Sequence, residues 1–154
     1  MKYEYDFPMA GVTATMVIFH SDTEEVLLGR RSLDSKAFPG AWCLPGGYLD
    51  VGKECLIDVA RRETKEETGI DITEDRWKLF YNDDVPGSDP RYVQVINLCY
   101  LAEVTEEEYN SVKAADDLIE LKWVNISEAS NQDLAFAHNR ILEVFVLDEW
   151  WKYD

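Results

Sequence analysis

Residues Gly46–Ile70, GGYLDVGKECLIDVARRETKEETGI, decide how this chain is read. Over Glu54–Thr68 the apolar and acidic positions keep a helical period. Leu56, Val59 and Ala60 share a face, and Glu63, Glu66 and Glu67 continue it one turn later at i, i+3 and i+4. The stripe begins as a core-facing surface and ends in three carboxylates. Gly69 sits where a left-handed residue closes a helix. Acids in a last turn oppose the helix dipole. Clustered carboxylates at a core edge repel one another unless a cation lies between them. A merely solvated acidic helix would not place its acids in line with a buried stripe. Hard oxygen donors at this spacing suit Mg²⁺ or Mn²⁺, and a divalent ion beside a glycine-rich loop is a device for handling phosphates.

These residues resemble the Nudix box, G-x5-E-x7-R-E-U-x-E-E-x-G-U, with U a bulky aliphatic. Glu54, Arg62, Glu63, Glu66, Glu67, Gly69 and Ile70 match it. Two positions depart. The interval from Gly47 to Glu54 is one residue longer than the pattern, so the Tyr48–Lys53 loop carries an insertion, and Thr64 stands where an aliphatic is usual. The resemblance continues outside the box. Trp42-Cys43-Leu44-Pro45-Gly46-Gly47 is similar to the family's W-x-LPGG entry. Ser88-Asp89-Pro90-Arg91, Asp116-Asp117 with Trp123-Val124, and Leu134-Ala135-Phe136-Ala137-His138 with Ile141-Leu142 resemble elements of its ADP-ribose pyrophosphatase branch, Ala137 replacing a frequent Asp. In that order they favour this branch over the nucleoside-triphosphate branch.

The resemblance implies roles residue by residue. Glu63, Glu66 and Glu67 are the expected metal ligands, with a backbone carbonyl at Gly46 or Gly47 beside them. Glu63, Glu66 and Arg62 are the expected catalytic group, Arg62 by fixing carboxylate rotamers and Glu54 as an orienting partner. Arg91, Arg30 and Trp42 are the expected substrate contacts, with Arg31 a weaker one. The general base stays open among Glu63, Asp116, Asp117 and Glu120. His138 reads as a packed helix residue, and no role is assigned to His20.

Bulk properties bound the rest. A length of 154 residues with 46% apolar content and a net charge of −16 describes one acidic globular domain over 1–154. A phosphate backbone needs a basic surface, so nucleic acid is not an expected partner. Cys43, Cys55 and Cys99 form no CxxC, which argues against zinc and against a disulfide framework. MKYEYDFPMAG has no secretory h-region, and no apolar run reaches membrane-span length. The expected location is the cytoplasm. Many relatives are dimers, so a homodimer is one option.

Periodicity places strands at 12–20, 26–30, 42–44, 77–81, 92–104 and 120–124. It places helices at 54–68 and 134–150, with an acidic segment of helical capacity over 106–117. The expected fold is α/β (or α+β), and the resemblance makes it an α/β/α sandwich with a mixed sheet. The expected activity is metal-dependent hydrolysis of the pyrophosphate in a nucleoside diphosphate linked to another group, ADP-ribose or a related dinucleotide foremost. A triphosphate house-cleaning hydrolase is the alternative within that class. A non-catalytic nucleotide sensor is the alternative outside it, disfavoured by the intact carboxylates and by a chain that stops at Tyr153-Asp154 without a DNA-binding module.

Overall fold

The computed structural model describes residues 2–148. Among them a seven-stranded mixed sheet is covered on both faces. The strands are β1 (Gly11–His20), β2 (Glu25–Arg31), β3 (Trp42–Cys43), β4 (Gly46–Tyr48), β5 (Lys78–Asp83), β6 (Val95–Glu103) and β7 (Leu118–Asn125). The helices are α1 (Leu56–Thr68), α2 (Glu106–Ser111), α3 (Ile126–Ala129) and α4 (His138–Leu147). The sheet path is β3-β2-β1-β6-β5, with β4 also on β1 and β7 also on β2.

β1 is the axis of the fold. Its run of β-branched and apolar residues is buried on both faces, the signature of a central strand. Ala14, Met16 and Ile18 pack toward Val59 and Ala60 of α1. Val17 and Phe19 pack toward Ile141, Leu142 and Phe145 of α4. This alternation yields three layers, α1 on one face and α3 with α4 on the other. One edge of β1 runs parallel to β6 along its length. The other edge forks: Thr13–Thr15 pair with β4, while Phe19 and His20 pair with β2. The fork opens the sheet where Pro45-Gly46-Gly47 crosses it.

Helix α1 starts at Leu56, two residues later than the sequence predicts. Glu54 stays in the loop, where its carboxylate accepts the Asp50 N–H at 2.7 Å. Asp58 caps the start by accepting the Cys55 N–H at 2.8 Å. Gly69, at φ 82°, closes the helix with its N–H on Lys65 O. The acidic segment predicted over 106–117 is helical only to Ser111. Beyond it the chain extends along the end of α1, where Lys113 N–H donates to Thr68 O (2.9 Å) and Ala115 N–H to Glu67 O (3.2 Å). Carbonyls orphaned at a helix terminus set this path.

The last helix also starts later than predicted. Phe136 and Ala137 are left-handed, at φ 56° and 55°, so Leu134–Ala137 is a separate turn and α4 begins at His138. Its predicted end at Trp150 lies outside the described residues. The strand predicted from Tyr92 begins at Val95, because Arg91's backbone N–H is held by the Asp89 carboxylate in a turn. β4 and α3 were not predicted.

Candidate functional site

Three elements deliver acids to one point. α1 supplies Glu63, Glu66 and Glu67. The extended segment bonded to its C-terminal carbonyls supplies Asp116, at φ 55°. β4 lays Gly47 against Glu63: a Cβ added there would lie 2.3 Å from Glu63 Cδ and would displace that carboxylate. Carboxylate oxygens of Glu63, Glu66 and Asp116 come within 4.8 Å of one another.

Arg62 holds this group from outside. Its Nε and Nη2 donate to Glu54 at 3.0 and 2.8 Å, its Nη1 to Glu63 at 2.8 Å and Glu66 at 3.5 Å, and its Nη2 also to Tyr48 O at 3.3 Å. One guanidinium thus ties the inserted loop to the acidic face. Glu67 lies deeper, with 3% of its surface exposed, and its Oε1 accepts the Gly46 N–H at 3.1 Å.

The carboxylates outweigh the single guanidinium beside them. Burial pushes Glu63 up to about 7 despite the opposing Arg62 charge, and Glu66 and Asp116 push the same way. Burial and the Glu63 charge raise Glu67 well above the usual carboxylate range, with Asp117 and Asp116 adding to them. Arg62 pairs with Glu54, Glu63 and Glu66, and Glu67 and Asp116 add negative charge beyond it, which leaves room for further cationic charge. The acids are all hard oxygen donors, so the residues present fit a divalent ion such as Mg²⁺ or Mn²⁺.

On the α4 side the same loop is held by a different chemistry. His138 is buried, and its Nδ1 accepts the Leu44 N–H at 3.0 Å. Burial lowers its pKa to about 3, with Arg31 and Arg140 contributing, so the ring is neutral and its proton sits on Nε2. Pro45 O accepts the Met16 N–H at 2.9 Å. Leu44–Gly46 is therefore fixed from α4, from β1 and from α1.

A cleft of about 70 Å³ runs along this loop, lined among others by Glu67, Gly46, Arg31, Arg91, Tyr48 and Phe136. Arg91 stacks 4.9 Å from the Tyr48 ring centroid and 5.5 Å from that of Phe136, and Arg31 lies 4.8 Å from the Phe136 ring. The Arg91 fork is engaged: its Nε and Nη2 donate to Asp89 at 3.0 and 2.9 Å, and Tyr48 OH donates to the same carboxylate. What Arg91 offers the cleft is a planar cationic face more than a free bidentate fork.

The predicted residues therefore divide. Glu63, Glu66, Glu67, Arg62 and Gly47 converge, and Arg91 lines the adjoining cleft. Arg30 donates to Gly40 O and faces Glu120 at 3.9 Å, and Trp42 stacks under Lys122 at 4.2 Å; neither lines the cleft. The sequence did not pick out Tyr48 or Phe136 as cleft residues. Their only signal was position, one beside the glycine pair and the other beside His138.

The NUDIX domain family model matches residues 9–145. The ADP-ribose pyrophosphatase of Methanocaldococcus jannaschii is 30% identical, over 84% of this chain and 69% of that protein. The ADPR responsive transcriptional repressor NtrR of Acinetobacter baylyi is also 30% identical, over 90% of this chain but only 54% of its own length. A shorter stretch, 41% of this chain and 21% of the relative, is 38% identical to the m7GpppN-mRNA hydrolase NUDT17 of Xenopus laevis. This chain thus spans only part of several relatives. Among solved structures, the NUDIX domain of Shewanella oneidensis NrtR, crystallised with ADP ribose, superposes with a TM-score of 0.78 at 25% identity, covering 94% of each chain.

Proposed function

Because this chain belongs to the NUDIX domain family, we propose that it hydrolyses the pyrophosphate of a nucleoside diphosphate linked to a second group, with ADP-ribose as the leading substrate. One observation carries the reading. The Gly46-Gly47 crossing joins the acidic group of Glu63, Glu66 and Asp116 directly to a cleft walled by Arg31, Arg91, Tyr48 and Phe136. A diphosphate flanked by planar groups matches that sequence of surfaces.

In this reading Glu63, Glu66 and Asp116 hold Mg²⁺ or Mn²⁺, with Glu67 and the Gly47 carbonyl completing the donors. A divalent ion bound there supplies Lewis-acid polarisation of phosphoryl oxygens. The chain's own residues do the remaining work. Arg62 keeps Glu63 and Glu66 in fixed rotamers. Glu67 fixes the Gly46 N–H and so the path of the loop. A carboxylate of the group takes the proton of the attacking water. Attack at one phosphorus breaks the P–O–P bridge, and for ADP-ribose the products are AMP and ribose 5-phosphate.

The test is a panel of ADP-ribose, NADH, diadenosine polyphosphates, nucleotide sugars and nucleoside triphosphates, with products resolved by chromatography. The reading expects AMP from ADP-ribose, abolished by EDTA and restored by Mg²⁺ or Mn²⁺. Triphosphates outranking every linked diphosphate would overturn it. The likeness to repressors supports a second reading, nucleotide sensing; ADP-ribose binding with metal present and no product would establish it.

A further inference from the structure

The cleft has a polar floor that the proposed hydrolysis does not use. Thr13 and Thr15 of β1 and Asn97 of β6 line it. Thr13 and Asn97 are partners in the parallel ladder, and Thr15 stands two residues along on the same face. The Oγ1 atoms of both threonines lie 2.8 Å from Asn97 Oδ1. A carboxamide oxygen only accepts, so both hydroxyls donate to it. Their protons are thereby committed, and each threonine offers the cleft only lone pairs. Asn97 Nδ2 keeps two protons, with no acceptor for them among the described residues.

The floor is a donor flanked by two acceptors. A phosphate or carboxylate would meet threonine lone pairs and be repelled. An apolar group would leave the amide unpaired. A pair of neighbouring hydroxyls satisfies it: each donates to a threonine, and one accepts from Nδ2. Tying β1 to β6 does not require this trio, since the backbone ladder already joins them from Gly11/Val95 to Phe19/Glu103.

We infer that Asn97, oriented by Thr13 and Thr15, reads the vicinal hydroxyls of a pentose seated in the cleft. The inference rests on the nucleotide-hydrolase reading above, and it adds the residues that select ribose over deoxyribose. Two parts of the substrate carry this diol, the nucleoside ribose and the terminal ribose, and the experiment separates them.

The measurement is kcat/KM for ADP-ribose against two analogues, one lacking the 2′-hydroxyl of the adenosine and one with a 2-deoxypentose as its terminal sugar. ATP and dATP form a third comparison. The native protein should favour the full diol by about tenfold or more in one arm, because a site built for a hydroxyl is left unpaired without it. Asn97→Leu should collapse that ratio to within about twofold, and Thr13→Val/Thr15→Val should do the same. Asn97→Ser serves as the milder variant if Asn97→Leu does not fold. A purely structural trio would lower Tm and leave the ratio unchanged. The inference is overturned if the native ratios are near one in every arm, or if the ratio survives in Asn97→Leu or, where that does not fold, in Asn97→Ser. Discrimination between ATP and dATP without turnover of any linked diphosphate would sink the proposed substrate and keep the role of Asn97. Failure to turn over any nucleotide would sink both.

Discussion

The end of α1 and the start of α4 do the same mechanical task with opposite chemistry. Each offers one side-chain acceptor to the loop between them: Glu67 takes the Gly46 N–H at 3.1 Å, and His138 takes the Leu44 N–H at 3.0 Å. At the α1 end, burial and neighbouring carboxylates leave an unmet demand for positive charge. At the α4 end, burial keeps the imidazole neutral. The loop between them is thus held by one group that a cation would stabilise and one that must stay uncharged to accept.

The largest expected effect breaks the α1 half. Glu63→Gln, and separately Glu67→Gln, should each cost on the order of 10²–10³ in kcat, the scale of losing a group that stabilises transition-state charge. Tm in EDTA should not fall, because each change removes a buried carboxylate that its neighbours repel. Near-native turnover in Glu67→Gln at saturating Mg²⁺ would show that this end is only a clamp.

The α4 half should break through stability. His138→Ala leaves the Leu44 N–H unpaired and opens a void, together about 2–4 kcal/mol. The two ends also predict opposite pH limbs in metal-free protein. His138 has a folded pKa near 3 against 6.5 unfolded, so its contribution is present above about pH 6.5 and is lost as pH falls toward 3. Glu63, raised to about 7 from 4.5, stabilises below 4.5 and loses that contribution as pH rises through 7. Glu67 is shifted in the same sense. A Tm–pH profile in EDTA should therefore peak in mildly acid solution. His138→Gln should flatten the acid limb, and Mg²⁺ or Glu67→Gln the other. An acid limb unchanged in His138→Gln would mean that the ring is not the buried neutral acceptor.

How the two ends read from sequence differs for the same physical reason. α1 was legible because its stripe, its glycine stop and its acids lie within one local period. A run of β-branched and apolar residues placed β1. The start of α4 was not legible, because Phe136 and Ala137 adopt left-handed backbone under tertiary constraint, with no glycine or asparagine to signal it. Asp116 was visible as an acid, but its arrival at Glu63 depends on N–H groups of 113 and 115 finding the last carbonyls of α1. Arg91 read as a substrate contact, yet Asp89, two residues away, takes its fork. Pairing over so short a span is a choice of local turn geometry that residue identity alone does not settle.

That pairing sharpens the comparison at the cleft wall between the two ends. Arg91→Ala should raise KM for ADP-ribose by about tenfold with a smaller change in kcat, since a stacked cationic face contributes uniform binding. Arg91→Lys should recover little, because an ammonium offers neither the plane for Tyr48 and Phe136 nor the fork for Asp89. Full recovery by lysine would return Arg91 to the role of a simple point charge.

The smallest effects lie in flaws carried by each helix. On α1, Thr64 is fully buried and its hydroxyl has no hydrogen-bond partner among the described residues. Thr64→Val keeps the shape and removes the desolvated hydroxyl, so it should stabilise by about 1 kcal/mol and raise Tm by roughly 2–4 °C. On α4, Ala137 precedes the helix at φ 55° with no side-chain cap. Left-handed backbone costs a residue with a Cβ about 1–2 kcal/mol. Glycine would relieve that strain but give back about 0.5–1 kcal/mol in unfolded-chain entropy. Asparagine tolerates the region without that entropic loss. Ala137→Asn should therefore stabilise more than Ala137→Gly. A fall in Tm for Ala137→Asn would mean that the start of α4 is held by packing around residue 137, with no backbone strain left to relieve.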